Sequence, residues 1–259
     1  MRGQVAGLTG RNFRDESITM SEIARAESLF FRAIGGRFGY LLITLIAFLL
    51  STPLMTVGGG WSIFLGLFAS AVLIASLQAA HPGRRSLVIG VVLAATDLGM
   101  GRIALMEGGR WMMAFQALLW LLTFGFVAMT ILNTVFGRAS VDVETLQASL
   151  CVFLMLGLIW VFVYAVVDLA SPESFRVVGA PKVALTEESL RRSDFARLVV
   201  FSFGTLTSST RGDLVASSQF ASLLACLEAM SVQVYLAVVI ARLVGKQSEA
   251  AIGIGTRGE

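Results

Sequence analysis

Six apolar runs, each bounded by glycine, proline or charge, leave this chain little choice of solvent. A helix needs about 20 mainly apolar residues to cross about 30 Å of hydrocarbon. Runs of roughly that length extend from Gly39 to Val57, Trp61 to Ala79, Ser86 to Leu105, Trp111 to Phe136, Leu146 to Ala170 and Ala216 to Val244. The first stops at Gly58-Gly59-Gly60 and the second at His81-Pro82-Gly83, where Gly and Pro break a helix. A further apolar stretch, Phe195 to Leu206, is too short to span and reads as a re-entrant or interfacial segment. With 56% of its 259 residues hydrophobic, 14% charged and a mean hydropathy of +0.80, the chain reads as an all-α integral membrane protein without a sizeable extramembrane domain.

The net charge of +3 does not imply nucleic acid, because Lys and Arg sit in the loops and tails that flank the apolar runs. Arg2, Arg11, Arg14, Arg25, Arg32 and Arg37 precede the first run, Arg84 and Arg85 lie between the second and third, and Arg242 and Lys246 end the last. All three groups belong on one side, which predicts both termini in the cytoplasm of a multi-pass protein of the cell's inner (plasma) membrane. The linker Ser171 to Arg192 then lies outside, although it carries positive charges of its own. Residues 1–38 read as a cytoplasmic tail in which Ser17 to Gly35 form an amphipathic helix on the bilayer surface. They lack the apolar core and cleavage site of a signal peptide. Residues 246–259 read as a short cytoplasmic tail, with no ligand-binding domain after Gly245.

Catalysis has few parts to draw on. Cys151 and Cys226 both fall inside apolar runs and read as inert thiols, and His81 is the only histidine. Asp97 and Arg102, in the third run, are five positions apart, so an interhelical partner is as plausible for each as a mutual pair. A carboxylate dyad of Asp97 with Asp168 would need both within a few ångströms, and no supporting motif accompanies them. The expectation is no enzyme, no cofactor and no metal. Residues 39–136 form a four-helix unit that is not a typical voltage sensor, since the fourth run has no Arg or Lys between Arg110 and Arg138. A secondary transporter is the rival class, but the first three runs do not mirror the last three.

The polar stretch T-L-T-S-S-T-R-G-D, Thr205 to Asp213, follows the short apolar segment and precedes the last run. Non-helical backbone at membrane depth is tolerated only where it is buried in protein or lines a water-filled cavity. One copy cannot enclose a cavity, whereas several subunits around an axis can. F-S-F-G-T-L-T-S-S-T-R-G-D (Phe201 to Asp213), followed by L-E-A-M-S-V-Q-V-Y-L-A-V-V-I-A-R-L-V-G (Leu227 to Gly245), resembles the pore domain of bacterial potassium channels with two pore helices per subunit. The resemblance covers residues 146–245. It implies a homotetramer in the lipid bilayer whose loop after the pore helix supplies backbone carbonyls to a dehydrated ion.

Thr205, Leu206 and Thr207 match the family's entry to the filter, and Gly212-Asp213 match its exit. Between them Ser208 stands where the family has Thr, Ser209 where it has Val or Leu, Thr210 where it has Gly and Arg211 where it has Tyr. Thr210 reaches glycine's backbone angles only with strain of about 1–3 kcal/mol per subunit, and an Arg211 ring would repel cations. Arg211 either turns away from the axis, pairing with Asp213 or Glu228 and leaving a weakly selective cation path, or faces the axis in an anion-favouring or occluded pore. A non-conducting assembly module is the third arrangement. The permeant ion stays open. On the inner helix Val232-Gln233 replaces the family's Gly-Gln pair, Gln233 faces a cavity or a neighbouring helix, Tyr235 follows it, and Glu228 reads as half of a structural ion pair.

Overall fold

The computed structural model describes residues 37–52, 84–107, 109–137, 142–171, 174–178, 187–209 and 212–255, with positions 67, 68, 70–72 and 74. They are mostly helical. The elements are α1 (Arg37–Ser51), α2 (Arg84–Glu107), α3 (Arg110–Gly137), α4 (Val143–Ala170), β1 (Phe175–Val177), α5 (Glu187–Leu206), β2 (Leu214–Ala216) and α6 (Gln219–Gly255). Three stretches of helix are long and apolar enough to cross a membrane: Trp111–Gly137, Val143–Ala170 and Gln219–Arg242. Phe38–Ser51, Val88–Asp97 and Phe195–Leu206 are shorter apolar helices. The expected second run lies mostly outside the described residues, and the N-terminal amphipathic helix and His81 lie wholly outside them.

α4 is apolar on every side, a pattern that suits a helix surrounded by other helices or lipid. It packs against α1, α3, α5 and α6 and forms the centre of the molecule. Phe38, Leu41, Leu45 and Phe48 make one buried stripe along α1. An aromatic series crosses the bundle: Phe48 stacks on Phe68 at 3.8 Å between ring centroids, Phe68 neighbours Phe124, Phe124 lies 5.4 Å from Phe162, and Phe162 lies 5.9 Å from Phe195 on α5. Rings at these separations attract one another beyond the area they bury.

Hydroxyls inside the apolar helices are absorbed locally. Thr44, Thr96, Thr130, Thr134 and Ser149 each donate to the carbonyl four residues earlier, at 2.8–2.9 Å. That bond hides the polar atom where no water is at hand.

Two contacts fix the Arg242 end of α6 against the rest. The Arg242 guanidinium donates to the Phe136 carbonyl at 2.9 Å and lies over the Phe136 ring at 4.7 Å, satisfying an acceptor in the last turn of α3. Tyr235 donates to the Ser149 carbonyl near the start of α4 at 2.6 Å. The C-terminal end of α3, the N-terminal end of α4 and the Arg242 end of α6 therefore share one end of the bundle.

The opposite end carries a feature absent from the all-α expectation. β1 and β2 pair antiparallel, Arg176 opposite Val215, and Ala216, expected to begin the last span, belongs to this ribbon. Strands of three residues are too short for an alternating pattern to show in sequence. Phe175 holds the ribbon in place through edge-on contacts with Tyr164 and Phe201, which also meet each other. Ser217 and Ser218 then donate through their backbone N–H groups to the Ser174 carbonyl, and Ser218 Oγ accepts from the Ala221 N–H as the cap of α6.

Candidate functional site

α5 descends from the ribbon beside α4. Phe195 meets Phe162, and further down Ser202 Oγ lies within hydrogen-bond distance of the Gly157 carbonyl, at 2.9 Å. Gly157 lies near the middle of α4, about 20 Å from either end at 1.5 Å per residue. Its missing side chain is filled by Phe203, whose ring atoms would stand 2.7–3.1 Å from a Cβ at this position. α5 thus ends about halfway along α4.

The helix stops there through its backbone. The Ser209 N–H donates to the Gly204 carbonyl at 2.7 Å and the Ser208 N–H to the Thr205 carbonyl at 3.1 Å, with Ser208 at φ 56°. These two bonds around one left-handed residue make a Schellman turn, usually built on glycine. Ser209 O also crowds Gly204, at 2.9 Å from where a Cβ would stand. The Thr205 and Thr207 hydroxyls donate back to the Phe201 and Phe203 carbonyls at 3.0 and 2.7 Å. Replacing Ser208 with Gly is expected to stabilise the fold by about 1 kcal/mol, because the left-handed region penalises a Cβ. Gly204→Ala is expected to cost about 1–3 kcal/mol, since a backbone oxygen cannot move aside without opening the turn. Thermal unfolding of the two variants in detergent reads both signs.

Beyond the turn the chain returns along the helix it has just left. Gly212 lies beside Val200, and the Arg197 guanidinium pairs with the Asp213 carboxylate at 3.1 Å. The Asp213 carbonyl accepts the Val178 N–H at 2.7 Å, at the edge of the ribbon. Thr210 and Arg211 lie outside the described residues. Thr207, Ser208, Ser209, Gly212 and Asp213 are exposed on the single chain.

The inner-helix residues divide between two faces. Gln233 is exposed, as are Phe220, Leu223, Leu227, Met230 and Val234, which follow one another at alternating steps of three and four. Tyr235 and Glu228 turn the other way. Glu228 is fully buried, its Oε2 accepting from the Tyr164 hydroxyl at 2.6 Å and its Oε1 from the Ser202 hydroxyl at 2.5 Å. The described partners of this carboxyl are hydroxyls, where an ion pair was expected. Next to it, Ser231 donates to the Glu228 carbonyl at 2.8 Å and accepts from Trp160 Nε1 at 3.2 Å. One carboxyl therefore joins α4, α5 and α6.

Tyr164, Ser202 and Gly157 were not among the expected site residues. The sequence held one signal for them, a serine within the otherwise apolar F-S-F-G at the end of α5. Asp97 is also buried, and its Oδ2 accepts from the Thr123 hydroxyl at 2.9 Å across α2 and α3. Asp97 Oδ1 meets no hydrogen-bond partner among the described residues, so no hydrogen bond links it to Asp168, in keeping with the absence of any motif for a carboxylate dyad. Among the described residues no group of His, Cys, Asp or Glu is arranged to hold a metal. No family model, curated protein or solved structure matches the chain.

Proposed function

We propose that the chain is one subunit of an oligomeric membrane pore of potassium-channel-like architecture, with six spans, a re-entrant pore helix (the second half of α5) and a filter made by Ser208 to Gly212. The observation that carries this reading is the return of the chain along α5: Gly204 beside Ser209, Val200 beside Gly212 and Arg197 paired with Asp213. A helix that enters to half the depth of its neighbour and comes back on the same side leaves polar backbone at mid-depth. Such backbone needs a cavity or a protein partner. The exposed face of α6 supports a self-association that would provide one, since steps of three and four give the period at which helices interlock. A fourfold ring around that face is the proposed assembly. The described partners of Asp213 and Glu228 are Arg197 and two hydroxyls, and the orientation of Arg211 is what the recording below reads.

A non-conducting assembly module is the second reading. It is favoured by the hydroxyls of Thr205 and Thr207, which are spent on helix carbonyls, and by Ser209, which folds back on Gly204.

The test is single-channel recording of the purified protein in planar bilayers under a potassium chloride gradient, beside the Arg211→Tyr, Thr210→Gly double variant. A weakly selective cation pore predicts a reversal potential displaced toward that of the cation. Displacement toward chloride would place the Arg211 ring on the axis. Silence from both proteins, with the oligomer intact by mass, would sink the pore and leave the module.

A further inference from the structure

The carboxyl that joins α4, α5 and α6 has an unusual set of neighbours. Glu228 and Ser202 are both fully buried, and Ser202 Oγ lies within hydrogen-bond distance of two acceptors, Glu228 Oε1 at 2.5 Å and the Gly157 carbonyl at 2.9 Å. A hydroxyl carries one proton and also accepts. Ser202 can therefore donate to only one of the two at a time, and which one depends on Glu228.

With Glu228 ionised, Ser202 donates to Oε1 and Tyr164 donates to Oε2, both charge-assisted bonds of the length expected for O–H to a carboxylate. With a proton on Oε1, that proton is donated to Ser202 Oγ. Ser202 turns its own proton to the Gly157 carbonyl, and Tyr164 still donates to Oε2, now a carbonyl oxygen. Every polar atom is satisfied in either form. Most buried carboxyls lose a bond when they gain or lose a proton, and an unmade bond in the interior is costly. We propose that Glu228 is a reversible proton-binding site, with Ser202 as the relay that closes its hydrogen bonds in both states.

Among the described residues no cation meets the Glu228 carboxyl, which leaves a proton to compensate its charge. From α4 come Tyr164, which donates, and, a turn beyond it, half-buried Asp168. On α5 the described cation is Arg197, which is paired with Asp213, the residue that leads into β2. On α6 the titratable neighbours are Cys226, exposed two positions earlier, and Tyr235, two turns further on and bonded to Ser149. A bare carboxylate in such surroundings is expensive, and a single proton removes that cost. The proton would act at the junction of three helices, binding Ser202 to the middle of α4 when present and releasing it when absent.

Infrared difference spectroscopy of the full chain in phosphatidylcholine vesicles, titrated with acid, reads the carboxylic acid carbonyl stretch whether or not a pore conducts. The expected result is a band that grows on acidification, disappears in Glu228→Gln and survives in Asp97→Asn. In Tyr164→Phe, which keeps the carboxyl, the band should move to higher frequency as its carbonyl loses a donor. A band that Glu228→Gln leaves untouched, that Tyr164→Phe does not move, or that is absent or constant over the whole range in which the protein stays folded would overturn the proposal.

Discussion

Glu228→Ala is expected to lower the stability of the chain in detergent by about 2–4 kcal/mol, from the cavity and from the buried donors left without an acceptor. The two donors do not suffer equally. Ser202 can turn to the Gly157 carbonyl, already 2.9 Å away, whereas among the described residues Tyr164 has Glu228 as the acceptor of its hydroxyl. Most of the penalty therefore falls on Tyr164, and Glu228→Ala combined with Tyr164→Phe should be more stable than Glu228→Ala alone. The single changes Tyr164→Phe and Ser202→Ala should each cost less, about 0.5–1.5 kcal/mol, in keeping with single hydroxyl bonds between membrane helices. Unfolding by titration with sodium dodecyl sulfate gives all of these values, and the double-mutant cycle isolates the pair. A Glu228→Ala protein as stable as the parent would mean that the carboxyl holds nothing together.

The second large effect is steric. Gly157→Leu is expected to cost about 1–3 kcal/mol, the range for forcing extra carbon into a well-packed interior. Even a single Cβ would stand 2.7 Å from the tip of the Phe203 ring and about as close to its flanking atoms. Phe203 has little room to withdraw, because Ser202 beside it is bonded to the same turn of α4. The substitution should push the end of α5 away from α4, lengthening the Ser202 bond and disturbing the Schellman turn at Ser208. Gly157→Leu combined with Phe203→Ala restores room and should recover part of the loss. Equal destabilisation by the single and double variants would show that the ring is not the obstacle. The same unfolding titration decides it.

What could be read along the chain was what depends on composition over about 20 consecutive residues. α3, α4 and the first 24 residues of α6 are continuous apolar stretches, and the helices follow those runs closely. Crossing hydrocarbon is a demand on every residue in turn, so it leaves its record in one dimension. α2 was harder to read, because Asp97 and Arg102 interrupt its apolar run. The end of the short apolar stretch at Leu206 was also legible, being set by local backbone and hydroxyl bonds. Its beginning was not: α5 starts at Glu187, and its polar first half carries no apolar signal.

Partnership was decided in three dimensions. Glu228 stood out in the sequence as a charge inside a span, and an ion pair was the natural expectation from its type alone. Its partners lie 64 and 26 residues away, and both are hydroxyls. Nothing near Glu228 in the chain selects Tyr164 over another donor; the selection comes from α4, α5 and α6 packing against one another, with Gly157 allowing α5 close enough for Ser202 to reach both. The ribbon has the same origin, since Phe175 pairs with Ala216 only because α5 brings the chain back to the level from which it left. Which segments shun water is legible along the chain, because that preference belongs to each residue's own surface. The tertiary structure alone decided which buried polar groups meet, because a hydrogen bond requires two atoms within about 3 Å and only packing brings distant residues so near.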